Sequence, residues 1–321
     1  MLRRGARVAG IALPPETSPS LWELLPLGAD VEERLVDVRD RDGIAAAIGA
    51  LRPKTIFHLA AQPLVRRGYA EPVETYAINV MGAVHVLEAA RSAGELETVV
   101  VVTSDKVYAD RPRAGGYAED ARLGGADPYA GSKAAAELVV ETYRSAFFAA
   151  PGSPRVATAR AGNVIGGGDF APDRLLPDAY RAVAAGAPLV IRRPDAIRPW
   201  QHVLDPLHGY LRLAETLADG SAPPGAYNFG PERAESVRAV AERFLAALGS
   251  ARDPAVVVEP SAEHETAVLA VDSARAHAQL GWSPRWPTEA AIDAAAAWYR
   301  GFHAGEPALE LVERDLDAYA G

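Results

Sequence analysis

An unbroken run of four valines, Val99 to Val102, followed at once by Thr103-Ser104-Asp105-Lys106, restricts the fold more than any other stretch of the 321-residue chain. β-Branched side chains are stiff at χ1, and a strand that is apolar on both faces suits a parallel sheet covered by helices on either side. Because this strand ends abruptly in Thr, Ser, Asp and Lys, it delivers polar, titratable groups to its C-terminal edge, where open α/β sheets bind their ligands. Farther on, Tyr129 and Lys133 stand four apart at what reads as the start of a helix, and so share one face. An ammonium beside a phenol favours the phenolate, which gives a base near neutral pH. Tyr-x-x-x-Lys alone is common on ordinary helices. Following a Thr-Ser-Asp-Lys strand end, it carries more weight.

The rest of the first half alternates strand and helix. Arg7 to Leu13 is a short apolar run bounded by Gly5 and Pro14-Pro15, Glu33 to Val38 is the next strand, and Asp42 is expected to cap a helix through Leu51. Thr55 to Ala60 is a third strand, ending near Gln62, and Val73 to Gly94 reads as one long helix carrying Asn79. After Lys133 the helix runs on to Phe148, and Arg155 to Ala161 is a fifth strand leading into Gly162-Asn163-Val164-Ile165-Gly166-Gly167-Gly168-Asp169. This alternation is the signature of a doubly wound parallel sheet. Beyond that point it loosens. Helices are expected at Leu175–Gly186, Val203–Ala218, Val237–Leu248 with Ser236 as cap, from Asp272 to Leu280, and last after Trp286-Pro287 through Arg300. The expected division is residues 1–165 as a sheet domain and 166–321 as a smaller lobe with some segments returning to the core.

Composition excludes several functions. A net charge of −9 argues against a nucleic-acid partner, whose phosphates ask for a basic surface. With no cysteine there is no disulfide framework, thiolate metal site or cysteine nucleophile. His202 and His264 are metal-ligand types, but no clustered carboxylates accompany them, so no metal is expected. No apolar run is long enough to span a bilayer, and the start MLRRGARVAGIALPPE lacks a signal-peptide layout. The cytoplasm is the expected location.

Read in order, HLAAQP, TSDKVY, PYAGSK, RAGNVIGGGD and RPWQHV resemble the extended short-chain dehydrogenase/reductases that act on nucleotide sugars. Within that family the sequence looks most like the CDP-glucose 4,6-dehydratase group. The resemblance spans nearly the whole chain, including HLAAQPLVRRGYAEPVETYAINVMG and DSARAHAQLGWSPRW. It implies a Rossmann-like sheet, NAD as cofactor, a nucleotide-sugar substrate, and 4,6-dehydration of the glucose to a 4-keto-6-deoxy sugar. A C4 epimerase or keto-sugar reductase, or a catalytically impaired nucleotide-sugar binder, is the alternative.

Carried over residue by residue, the resemblance implies Tyr129 as base at the sugar C4 hydroxyl, Lys133 on the nicotinamide ribose and Ser104 on the C4 oxygen. Asp105 would be the acid for the C6 hydroxyl and Lys106 the base at C5. The bland reading of Asp105-Lys106 is an ion pair at a strand end. The cofactor is expected along Asp37, Val38, Ala60, Ala61, Gln62 and Asn79, with Tyr129 and Lys133. Asp37 reads equally as an adenine contact or a turn cap, and Gln62 and Asn79 fit satisfied buried polars as well as cofactor contacts. Asn163 and the Gly166–Gly168 run are expected to face the substrate, since glycine lets backbone approach a ligand. Arg174, Arg192 and Arg198, whose planar forks suit a diphosphate, and His264 complete the substrate set. Thr75–Arg91 and Ala134–Phe148 match the helices that pair two subunits in this family, so a homodimer with a four-helix interface is expected; their apolar faces also fit internal packing.

The sequence departs from the resemblance at its start. The family opens with a strand and a Gly-x-x-Gly-x-x-Gly turn that holds the cofactor pyrophosphate at a helix N-terminus. Met1-Leu2-Arg3-Arg4-Gly5 matches the end of the helix after that turn, so a unit of roughly thirty residues is expected ahead of Met1 in the native chain.

Overall fold

The structure is a computed structural model and describes residues 1–109, 115–249, 255–259 and 266–320. The first half runs β1 (Val8–Ala12), α1 (Leu21–Leu24), β2 (Val31–Leu35), α2 (Arg41–Leu51), β3 (Thr55–His58), α3 (Val65–Ala70), α4 (Pro72–Tyr76), α5 (Gly82–Arg91), β4 (Thr98–Val102), α6 (Pro128–Phe147) and β5 (Arg155–Ala161). The second half adds β6 (Val164–Ile165), α7 (Leu175–Ala185), β7 (Leu189–Ile191), β8 (Ile197–Arg198), β9 (Gln201–His202), α8 (Leu204–Ala218), β10 (Ala226–Phe229), β11 (Glu235–Ser236), α9 (Val237–Leu248), β12 (Val256–Val258), α10 (Ala274–Leu280), α11 (Thr288–His303) and α12 (Ala308–Ala320).

The valine strand lies inside a parallel sheet of order β10-β5-β4-β3, with Val99 opposite Ile56 on one side and Val156 on the other. Val99 and Val100 are wholly buried, as an apolar run on both faces requires. On one face, Val99 and Val101 meet Leu87 of α5 and Val140 of α6; on the other, Val100 meets Leu213 and Leu217 of α8, Tyr227 and Phe229 of β10, and Trp282. Segments from the second half therefore complete the first half's sheet.

The sheet is divided. β1 pairs in parallel with β2 in a separate two-stranded sheet, and among the described residues β3 pairs only with β4. Ile11 of β1 and Ile56 of β3 nevertheless pack on the same cluster, Ile44 and Ile48 of α2 with Val86 and Ala89 of α5, so one helical layer spans both sheets. With one edge unpaired, Thr55, Ile56 and Phe57 are only half-buried.

A second core gathers Phe244 and Leu245 of α9, Trp298 and Tyr299 of α11, Leu176 of α7 and Trp200. Three local expectations need correction. Asp40, not Asp42, caps α2, its carboxylate accepting the Gly43 amide at 3.0 Å. The expected helix from Val73 to Gly94 is interrupted by a π-helical turn, Ala77–Met81, between α4 and α5. Two described helices, α3 and α12, were not among those expected.

Candidate active site

At the end of β4 the backbone of Ser104 is extended and its side chain caps a single 3-10 turn, Asp105–Val107. Ser104 Oγ accepts the Lys106 amide at 3.2 Å and donates to Asp105 Oδ1 at 3.1 Å. Asp105 is 3% exposed, and its Oδ2 has no hydrogen-bond partner among the described residues. A Cβ at Gly162 would come within 3.1 Å of that oxygen, so glycine keeps the space beside it open. Burial pushes the Asp105 carboxyl up to about 6, against the pull of Lys106 and the Ser104 hydrogen bond. A buried acid whose pKa is raised this far keeps a share of its proton closer to neutrality than an ordinary carboxyl and can serve as a proton donor.

Helix α6 begins in line with that strand end. Asp127 caps it, accepting the Ala130 amide at 2.8 Å, and Pro128 occupies the first turn. Tyr129 and Lys133 then face the sheet, 9% and 6% exposed. Lys133 Nζ donates to the Val102 carbonyl at 3.1 Å. Burial lowers its ammonium to about 8, and Glu137 opposes the shift. Burial pushes the Tyr129 phenol up; its hydrogen bond with Ser104 and the charge of Arg174 pull it back. The expectation that Lys133 lowers the Tyr129 pKa is therefore not met in this arrangement. The ammonium is turned to the Val102 carbonyl, and the groups favouring the phenolate are Ser104 and Arg174.

The expected cofactor side chains are largely occupied by the protein. Asn79, on the π-helical turn, accepts the Gln62 amide at 2.8 Å and donates to the Gln62 carbonyl at 3.1 Å and Ser132 Oγ at 2.8 Å. It ties the loop after β3 to α6. Gln62 donates to Thr75 Oγ1 at 2.9 Å and accepts the Leu64 amide at 2.6 Å, which uses both ends of its amide. Asp37 is clasped by Arg39, which lowers its pKa and also pairs with Glu74. Val38 lies against Gly82, where a Cβ would sit 2.9 Å from its methyls. Ala60 is exposed and Ala61 half-buried beside the open edge of β3.

These residues fit a nicotinamide dinucleotide at one end. Lys133 and Tyr129 form a buried base-and-ammonium corner, and Ala60 and Ala61 leave backbone open beside it.

On the substrate side the structure separates the three arginines. Arg174, which precedes α7, lies close enough to influence Tyr129 and donates weakly to the Pro63 carbonyl at 3.4 Å. Arg192 bonds Asp173 at 3.3 Å, and Asp173 also holds Arg66 of α3 at 3.0 Å. Arg198 is 2% exposed, donates to the Ile197 carbonyl at 2.9 Å and acts on Asp105. It lies within electrostatic reach of the buried acid. Asn163 is half-buried, its carbonyl accepting the Gln201 amide at 3.0 Å; His264 lies outside the described residues. Packing alone requires the glycine run: a Cβ at Gly167 would strike the Trp298 ring at 1.9 Å, and those at Gly166 and Gly168 would meet Val203 and Leu21.

Two features of the site escaped sequence reasoning. Gly68 lets α3 come close to the Tyr129 backbone, a Cβ there lying 3.2 Å from its amide nitrogen. Glu137, buried one turn beyond Lys133, meets Arg160 of β5 in an ion pair. Its spacing four after Lys133 was the available signal.

Comparison with known proteins identifies the family. The family model described as GDP-mannose 4,6 dehydratase matches residues 1–294. The chain is 40% identical over 98% of its length to the CDP-glucose 4,6-dehydratase of Salmonella typhimurium, covering 89% of that protein. It superposes on the Thermus thermophilus UDP-glucose 4-epimerase in complex with NAD with a TM-score of 0.81 and 26% identity, covering 94% and 93% of the two chains. A dTDP-glucose 4,6-dehydratase from Bacillus anthracis shares the fold, with a TM-score of 0.72, 20% identity, and 87% and 83% coverage. Matched over most of its length by that model and by a relative of this identity, the chain belongs to the GDP-mannose 4,6 dehydratase family of extended short-chain dehydrogenase/reductases.

Proposed function

We propose that the chain catalyses the 4,6-dehydration of CDP-glucose to its 4-keto-6-deoxy derivative with NAD as cofactor. The observation that carries the reading is a buried carboxyl at Asp105, raised to about 6 and unbonded at Oδ2, at the same strand end as Ser104, Lys106, Tyr129 and Lys133. NAD, when bound, supplies the hydride acceptor and donor. Lys133, Tyr129 and the backbone at Ala60 and Ala61 are the groups placed to hold its nicotinamide end.

Tyr129 takes the proton from the C4 hydroxyl, whose oxygen Ser104 hydrogen-bonds. With a carbonyl at C4, the C5 proton is acidic. Lys106 is the base that takes that proton; the electron pair of the C5–H bond forms the C5–C6 double bond as the C6–O bond breaks. Asp105 gives its proton to the departing hydroxyl, which leaves as water; the 4-keto-5,6-ene so formed would become the 4-keto-6-deoxy product when the hydride taken from C4 is returned to C6 and Lys106 gives a proton back to C5. Arg174 and Arg192 at the cleft rim suit the diphosphate. A C4 epimerase is the second reading, favoured by the likeness to the UDP-glucose 4-epimerase fold. Epimerisation requires no second acid and base, so Asp105-Lys106 weighs against it.

In the same reading, residues 1–165 form the cofactor domain and 166–321 mainly the substrate lobe, and the protein is a cytoplasmic homodimer. Val73, Tyr76 and Met81 before α5, and Leu138 and Phe147 on α6, are large exposed apolar side chains that suit a four-helix interface. Among the described residues no helix is long and apolar enough to cross a membrane. The test is to supply NAD with CDP-, dTDP-, UDP- and GDP-glucose in turn and assay for the 4-keto product by its absorbance in alkali. Product from CDP-glucose is expected. Conversion of none of them, or of another nucleotide alone, sinks the proposal.

A further inference from the structure

We propose that Glu137 is a positioning residue for this reaction: its buried carboxylate locks α6, which carries Tyr129 and Lys133, to the ends of the strands that deliver Ser104-Asp105-Lys106 and Asn163. Glu137 and Arg160 are both 4% exposed at their side chains. Glu137 Oε1 accepts from Thr103 Oγ1 at 2.5 Å and Arg160 Nε at 2.9 Å; Oε2 accepts from Thr158 Oγ1 at 2.9 Å and Arg160 Nη2 at 2.7 Å. Thr103 directly precedes Ser104, and Arg160 stands three residues before Asn163. One carboxylate thus joins the three elements whose relative placement sets the site.

A buried ion pair is a costly way to hold a core together, because apolar side chains of like volume often serve as well or better. What it adds is direction: four hydrogen bonds fix α6 in register against β4 and β5. Arg160 extends the network, donating to Tyr108 Oη and to the Glu119 carbonyl, both at 3.0 Å. Tyr108 in turn donates to Asn228 Oδ1 at 2.6 Å. Glu137 is also the anion one turn from Lys133. The other charged and titratable groups facing this pair are His58 on β3, which burial keeps neutral, Tyr129 on α6 and Arg160 on β5.

The inference rests on the proposed dehydration, and the experiment separates the two. Glu137→Gln keeps the shape and removes the charge; Thr103→Val keeps the ion pair and removes one bond to it. Each is compared with wild type for melting temperature, CDP affinity, NAD affinity and the pH profile of kcat. For Glu137→Gln the expected result is a folded protein with CDP affinity within about twofold of wild type. Its NAD affinity is reduced, and kcat is lower by about tenfold or more. Because Lys133 loses its anion, its pKa falls further, so the alkaline limb of kcat moves to lower pH by about one unit. Thr103→Val is expected to lower kcat by about threefold or more without moving that limb. If Glu137→Gln does not fold, Thr103→Val alone decides. Variants that fold with wild-type kcat, NAD affinity and pH limb overturn the proposal. A wild type that binds NAD but forms no keto product defeats the dehydration reading instead, and NAD affinity in the two variants still decides the role of Glu137.

Discussion

Asp105 shows how one residue can serve chemistry at the expense of the fold. Its folded pKa, about 6, lies above the ordinary 3.8, and burial is the main cause. A carboxyl raised in this way contributes stability that is fully present below about pH 4 and is lost as the pH rises through 6. Above that the folded state holds a desolvated charge. Asp105→Asn is therefore expected to abolish dehydration and yet stabilise the protein at pH 8, by at most about 3 kcal/mol for a shift of this size. The gain should shrink toward zero as the pH falls to about 4. Urea denaturation at both pH values checks it, and an equal effect at pH 4 and 8 would contradict the account. Residue identity at this site was legible from TSDK and PYAGSK. The direction of the Tyr129 shift was not, because it depends on where Lys133 Nζ points, and the carbonyl of Val102, 31 residues earlier in the sequence, captures it.

At the level of elements, the glycines after β5 illustrate a sequence signal with two meanings. Three consecutive glycines read as room for a ligand; in the fold they are room for Trp298, Val203 and Leu21. Gly167→Ala should accordingly destabilise the protein by about 1–3 kcal/mol through overpacking, while CDP affinity stays within about twofold of wild type. A thermal melt and a binding isotherm distinguish this from a substrate contact, which would weaken binding and leave the melt unchanged. The strands and the helix carrying Tyr129 were legible from valine content, from the strand–helix alternation and from the apolar spacing after Lys133. The break in the helix around Asn79 was not. A π-helical turn there is set by what Asn79 reaches, namely Gln62 and Ser132, and neither partner is readable from local spacing.

For the molecule as a whole, the divided sheet is the consequential feature. β4 is paired on both sides and wholly buried at its centre, whereas β1 and β2 form a two-stranded sheet whose outer strand is mostly exposed. Two strands alone are marginal, so this part is expected to open at lower free energy than the main sheet. Native-state hydrogen exchange should find the amides of Val31–Leu35 exchanging about tenfold or more faster than those of Thr98–Val102. Equal protection would contradict the division. The second lobe was only partly legible, since its short strands pair with partners far along the chain, β7 with β12 and β8 with β11. The central claim is that Tyr129 works at C4 while Lys106 and Asp105 work across C5 and C6. It is tested most directly by proton NMR of the product formed from CDP-glucose in D2O. The account predicts a C4 ketone with a C6 methyl group and solvent deuterium at C5. A C4 epimer that retains its C5 hydrogen and C6 hydroxyl would contradict it.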